Sequence, residues 1–207
     1  YNILHYINQF FAGIGGEDKA DFEPKLVAGA VGPGAQLDKL LDGKARICAT
    51  YVCGDNYFAE HTDAVLADFK KALDEYRPDI IIAGPSFYAG RYGFACGHVI
   101  RLAHETLGIP GVAGMNFESP AVEMFRDEMY IVKTGNSARA IKPALEDMAK
   151  LAEKLLEKRE LGSAAEENYF HRHVRNNFYR EENGGKRAVE MLLKKMKGEP
   201  FTSEYPQ

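Results

Sequence analysis

The sequence predicts an α/β protein: a doubly wound, mostly parallel sheet of about five strands with helices on both faces, followed by a helical carboxyl-terminal extension. Short apolar, β-branched runs alternate with amphipathic stretches of helical period through the first two thirds of the chain, the pattern of repeated βα units. One run, Ile80-Ile81-Ile82-Ala83, is apolar at consecutive positions, as a strand buried on both faces requires. Each run also breaks off into glycine with polar or aromatic residues, and in open α/β sheets ligands sit beyond the carboxyl ends of the strands.

Taken in order, residues 2–7 (NILHYI) form a first strand that runs into a loop with Gly13, Gly15 and Gly16, three glycines in four residues, suited to close backbone approach or to anion binding. Val31-Gly32-Pro33-Gly34 is turn punctuation before a short helix through Leu37, Leu40 and Leu41. Residues 45–52 form a second strand, ending in a loop over residues 53–58. Val65, Phe69, Leu73 and Tyr76 recur at helical spacing, and Pro78 closes that helix. The third strand begins after Pro78 and gives way to a loop from Gly84 to Gly93. A helix from Phe94 to Leu107 turns Val99, Leu102, Ala103 and Leu107 inward and stops at Gly108. Residues 110–115 and 129–133 supply two further strands. Ile141, Leu145, Met148, Ala152 and Leu155 then mark a long amphipathic helix.

The last third differs in character. A polar break at Gly162-Ser163 precedes an aromatic and basic segment over residues 169–180, and Gly184-Gly185 opens a final helix carrying Val189, Leu192, Leu193 and Met196. The organisation read from this is an α/β ligand-binding domain over residues 1–160, a helical extension packed on it over 161–198, and a linker-like tail over 199–207. Residues 142–197 hold 13 basic and 10 acidic side chains, about +3, against about −7 for the rest. That split fits opposed faces for assembly as well as ordinary solvated helix surface.

With 45% hydrophobic and 27% charged residues the chain has the composition of a globular protein. A net charge of −4 gives no support for a nucleic-acid or anionic-membrane surface. No apolar run approaches the ~20 residues that span a bilayer. The amino terminus shows no basic region followed by an apolar stretch, and Cys48, Cys53 and Cys96 have no disulfide or zinc spacing, so a cytoplasmic home is expected. The opening Tyr1 and the extended tail suggest a fragment or one subunit of something larger.

Five strand-end loops should gather at one sheet edge and frame a small-molecule crevice. Arg91 offers a guanidinium fork for a carboxylate or phosphate. Asp55 and Glu118 are carboxylates that could hold an amine, and Phe10, Phe11, Phe87, Tyr88 and Tyr92 could surround an ammonium. Gly84, Ser86, Gly15 and Gly16 complete the expected binding set. Each residue also has a common structural use in caps, ion pairs or packing. Cys53 reads better as a small buried residue than as a nucleophile, since no base flanks it. No metal set is expected: His98 and His104 lack the i, i+4 spacing, and no cluster of Cys, His and carboxylates converges.

Several blocks together carry a resemblance: His5-Tyr6-Ile7-Asn8-Gln9-Phe10-Phe11-Ala12-Gly13-Ile14-Gly15-Gly16-Glu17, Val31-Gly32-Pro33-Gly34, Cys53-Gly54-Asp55, Ala83-Gly84-Pro85, Ala89-Gly90-Arg91-Tyr92-Gly93 and Gly198-Glu199-Pro200-Phe201-Thr202. The chain resembles the amino-terminal half of the selenoprotein B component of the glycine, sarcosine and betaine reductases of anaerobic amino-acid fermenters, with D-proline reductase a more distant relative. The resemblance implies reductive C–N cleavage leading to acetyl phosphate, with pyruvoyl-containing component B subunits and the selenoprotein component A as partners. It places the redox-active selenocysteine in the carboxyl-terminal half and the pyruvoyl group in partner subunits, so no cofactor and no catalytic residue is expected in this chain. A small amino acid or betaine is the implied substrate, and a homo-oligomer is compatible with the pattern. Two other classes stay open: a non-catalytic assembly module, and a different α/β protein binding a small ligand or a nucleotide.

Overall fold

A computed structural model describes residues 1–173 and 181–203. It resolves into two compact units, residues 1–173 and 174–207. The expected aromatic and basic segment lies outside the described residues from Val174 to Arg180, as does the end of the tail from Glu204 onward.

The first unit is a six-stranded sheet. Its strands are β1 (Asn2–Asn8), β2 (Lys25–Ala28), β3 (Arg46–Cys53), β4 (Ile80–Phe87), β5 (Gly111–Met115) and β6 (Tyr130–Lys133). They lie in the order β2-β3-β1-β4-β5-β6, with every neighbouring pair parallel except β2 and β3. The sixth strand, beyond the five read from the sequence, is this antiparallel edge. At four residues β2 is too short to show a period, and it is held by pairing with the longer β3. The parallel strands alone follow the flavodoxin-like order, in which the chain reverses its direction of travel between the first strand and its neighbour on the other side. Here that switch point falls between β1 and β4.

Alternation along the strands explains the two-sided core. Ile3, Ile47, Ile80, Ile82, Val112 and Val132 face one layer, formed by α1 (Gly34–Leu40) and α6 (Ile141–Leu156) through Leu37, Leu145, Met148 and Leu151. Leu4, Tyr6, Tyr51, Ile81, Ala83, Ala113 and Ile131 face the other, formed by α3 (Thr62–Tyr76), α4 (Gly90–Leu107) and α5 (Pro120–Phe125) through Phe69, Leu73, Val99, Ala103 and Phe125. The expected doubly wound architecture is therefore present. A short helix α2 (Asp55–Glu60) precedes α3, and a 3₁₀ turn spans Glu17–Lys19.

Three local readings need correction. Residues 53–58 are not a plain loop: the carbonyl of Ala20 accepts from the amides of Asn56 at 2.9 Å and Tyr57 at 3.1 Å, which anchors the first turn of α2. Gly84 and Ser86 are not loop residues either, because β4 continues through Phe87, all of it buried. Pairing to β5 skips from Ala83 to Phe87, so Pro85, which has no N–H to donate, sits where the ladder is interrupted. Finally, α4 starts at Gly90, placing Arg91 in its first turn. Glycine inside a helix is ordinarily unfavourable, but a Cβ at Gly93 would stand 2.9 Å from Ser119 Oγ and 3.0 Å from Ala121 Cβ, so close packing on α5 accounts for it.

In the second unit, α7 (Gly184–Lys197) is capped by Asn183, whose Oδ1 accepts from the Lys186 amide at 2.9 Å, and it ends at Gly198 with positive φ. Val189, Leu192, Leu193 and Met196 are exposed along one stripe. Among the described residues no helix is long and apolar enough to cross a membrane.

Candidate functional site

At the switch point, the carboxyl ends of β1 and β4 and the start of α2 surround a cavity of about 320 Å³. That is the lower end of the range for small-molecule sites. Its walls come from Asn8 to Phe11 after β1, Gly16 and Glu17 near the 3₁₀ turn, and Asp55 at the head of α2. Ser86 to Ala89, Tyr92, Ser137 and Ala138 complete the lining.

Asp55 is the buried charge of this site. It is 8% exposed, its Oδ2 accepts from Asn8 Nδ2 at 2.9 Å, and its main-chain amide donates to Gln9 Oε1 at 3.1 Å. Gln9 also reaches the Gly16 carbonyl, and Asn8 Oδ1 accepts from the Phe11 amide at 3.1 Å. Two amides at the end of β1 thus fix both the carboxylate and the glycine loop beside it. Burial raises the Asp55 pKa above the usual carboxylate value, opposed by the Asn8 hydrogen bond and the Arg91 charge. Its Oδ1 is shielded from water and has no partner, and the same holds for the hydroxyls of Tyr92 and Tyr6. The Tyr92 hydroxyl lies near the Asn8 backbone without hydrogen-bond geometry.

Aromatic rings line the rest. Phe11 lies 6.0 Å from Phe87 and 5.9 Å from Tyr92 between ring centroids, while Phe10 meets Phe11 edge-on at 5.2 Å. Tyr88 is exposed at the mouth. Such faces attract a cation through the negative potential of the ring.

The structure brings Asp55, Tyr88, Ser86 and Gly16 into the cavity lining and leaves Gly15, Glu118, Gly84 and Arg91 outside it. Gly15 is turned toward the Lys19 side chain, and neither it nor Gly16 has positive φ; in this loop Gly13 does. Glu118 is exposed outside the lining, its amide bonded to Asn116 Oδ1 at 3.1 Å. Gly84 lies one step below, its carbonyl engaged by the His5 ring at 3.2 Å. Arg91 is at the rim but not free: Nη2 donates to Glu17 Oε1 at 2.5 Å and Nη1 to Asn56 Oδ1. Asn8, Gln9 and Glu17 are the site residues that the sequence reading passed over. A polar Asn-Gln pair directly after an apolar strand was the available signal.

Two of the three thiols, Cys53 and Cys96, are buried. Burial, then the Asp55 charge, pushes the Cys53 thiol up to about 12, and Cys96 is raised well above its ordinary value for the same reasons. Neither lines the cavity. His98 packs 5.3 Å from the Phe125 ring, with its pKa lowered by burial. Among the described residues no group of three or more His, Cys, Asp and Glu side chains could hold a metal ion.

Fold and cavity together define an α/β protein with a small cavity at the switch point of a mostly parallel sheet. The family model described as "Glycine/sarcosine/betaine reductase selenoprotein B" matches residues 1–207, and the chain belongs to that family. It is 47% identical over its full length to "Glycine reductase complex component B subunit gamma" of Carboxydothermus hydrogenoformans, of which it covers 47%. Over 99% of its length it is 43% identical to "Sarcosine reductase complex component B subunit beta" of Peptoclostridium acidaminophilum, again covering 47% of that protein. To "Betaine reductase complex component B subunit beta" of the same organism it is 40% identical over 97% of its length, covering 46%. The chain therefore spans about half the length of these curated relatives. No solved structure matches.

Proposed function

We infer that this chain is the substrate-side α/β portion of component B of a glycine, sarcosine or betaine reductase, working in the cytoplasm within a multi-subunit complex. The observation that carries the reading is the cavity itself: a buried carboxylate with an unpartnered oxygen, aromatic walls and an arginine at the rim, in a member of this family. Those are complementary charges for a molecule bearing an ammonium and a carboxylate a few bonds apart. Asp55 and the rings of Phe11, Tyr88 and Tyr92 take the ammonium, and Arg91 takes the carboxylate.

Reductive cleavage of the C–N bond needs a reductant and a carbonyl-type group. A selenol and a pyruvoyl group supply that chemistry from the remainder of the subunit and from partner subunits. No cavity-lining residue here is a thiol, so this chain binds, orients and excludes water, and alone it is expected to be inactive. A test is Arg91→Ala in the full-length subunit assembled with its partners. The reading expects substrate turnover to drop at least tenfold while thermal stability is kept; unchanged kinetics would remove Arg91 from the site.

The exposed stripe of Val189, Leu192, Leu193 and Met196 on α7 favours a second role in assembly. Charged substitutions at Leu192 and Leu193 would then abolish co-purification of the partner subunits and leave ligand binding intact.

A further inference from the structure

We propose that Asp55 makes the cavity selective for amines that carry at least one N–H, primary, secondary and tertiary ammonium groups over quaternary ones. The inference rests on the substrate-side reading and adds a rule about which nitrogen fits. The Asp55 carboxylate cannot turn to find another donor, because Asn8 Nδ2 holds Oδ2 at 2.9 Å and Gln9 Oε1 holds the main-chain amide at 3.1 Å. Oδ1 is left without any partner in a residue only 8% exposed, and the neighbouring Tyr92 hydroxyl is equally unpartnered. Both residues line the cavity, so one carboxylate oxygen and one hydroxyl of its lining residues are unmet from within the protein. Oδ1 is covered as the protein stands, and a ligand reaches it through a side-chain adjustment of that lining.

A buried acceptor without a donor is costly, and a site built to hydrogen-bond a ligand group strongly rejects the analogue that lacks it. The N–H of an ammonium supplies both the donor and the positive charge. Methyl groups on the same nitrogen lie against Phe11, Phe87 and Tyr92, whose rings accept them without penalty. Successive methylation is therefore tolerated until the last N–H is gone. A quaternary nitrogen keeps its attraction to the rings but leaves Oδ1 orphaned.

The experiment is calorimetry on the full-length subunit with glycine, N-methylglycine, N,N-dimethylglycine and N,N,N-trimethylglycine. Expected are affinities within about tenfold for the first three and a fall of at least a further tenfold for the fourth. Asp55→Asn, checked for folding by thermal denaturation, should weaken all four and bring the trimethyl compound within about threefold of the dimethyl one. If the wild-type protein binds the trimethyl compound as tightly as the dimethyl one, the N–H rule is overturned while the amine site stands. If Asp55→Asn keeps the wild-type discrimination, Asp55 is not its source. Absence of binding by folded wild-type protein for all four compounds would sink the substrate-side reading itself.

Discussion

Arg91 and Glu17 meet at the rim of the cavity, with Nη2 of the guanidinium 2.5 Å from the glutamate Oε1. The pair joins the first turn of α4 to the 3₁₀ turn after β1, two elements far apart in sequence. Both side chains are largely exposed, so the contact adds about 1 kcal/mol at most to stability. Its consequence is for binding, because a ligand carboxylate must replace Glu17 to use the guanidinium fork. Glu17→Gln should raise the affinity for a carboxylate-bearing amine several-fold by weakening the internal competitor, and Arg91→Ala should lower it by a similar factor. Calorimetric titration of the two variants, with melting temperatures as control, checks this; equal affinities for Glu17→Gln and wild type would show that Glu17 does not compete.

His5 predicts a pH dependence of stability. It lies fully buried on β1, bonded to the Gly84 carbonyl through Nε2 at 3.2 Å with Nδ1 unpartnered. Burial lowers its pKa from 6.5 to about 4, outweighing the Gly84 hydrogen bond, which raises it. Between these values the unfolded chain takes up a proton that the folded chain refuses, so stability is full above pH 6.5 and is lost as pH falls toward 4. The shift corresponds to a loss on the order of 3 kcal/mol. Denaturant unfolding of wild type and His5→Gln across pH 4 to 7 should show the difference between them narrowing toward acid pH. Parallel curves would remove His5 as the cause.

Most of the fold was legible because its signals are periodic. Phe69 and Leu73 on α3, and Leu145, Met148 and Ala152 on α6, repeat at helical spacing, and Ile80 to Ile82 announce a strand buried on both faces. The elements that escaped, β2, α2 and α5, are four to six residues long and are fixed by contacts distant in sequence, which no local pattern can report. The site divides in the same way. Asp55 and the aromatic loop residues follow from the rule that strand ends face the crevice. What the sequence could not show is the partnering: that Asn8 and Gln9 lock Asp55, and that Glu17 occupies Arg91.

Core packing gives a separate test of the α3 face. Phe69 is fully buried and meets Tyr51 edge-on at 5.0 Å, while the Tyr51 hydroxyl donates to Asp68 Oδ2 at 2.9 Å. Phe69→Ala removes a ring from a closed layer and should cost about 3–5 kcal/mol. Tyr51→Phe loses one partly buried hydrogen bond and should cost about 1 kcal/mol. Urea unfolding measures both; a Phe69→Ala loss below that of Tyr51→Phe would contradict the packing described.

Gly54 ties stability to the site, since it stands at the junction of β3 and α2 immediately before Asp55. Its amide donates to the Phe22 carbonyl at 2.8 Å, and its backbone conformation is extended, so its φ and ψ alone would admit any residue. Space is what requires glycine: a Cβ would overlap the Ala20 carbonyl and stand 2.6 Å from the Phe22 nitrogen, both backbone groups that cannot swing aside. Gly54→Ala must therefore push residues 20–22 away from the head of α2, stretching the bonds from Asn56 and Tyr57 to Ala20. A destabilisation of about 2–4 kcal/mol is expected. Because the same displacement moves Asp55 relative to Asn8 and Gln9, amine affinity should fall together with stability, at temperatures where the variant is still folded. Gly43→Ala serves as the contrast: its Cβ would meet nothing within 4 Å, and its positive φ of 74° makes the change a matter of backbone strain far from Asp55. That variant should lose stability and keep wild-type affinity, and loss of affinity in both would mean that ligand binding tracks global stability rather than the position of Asp55.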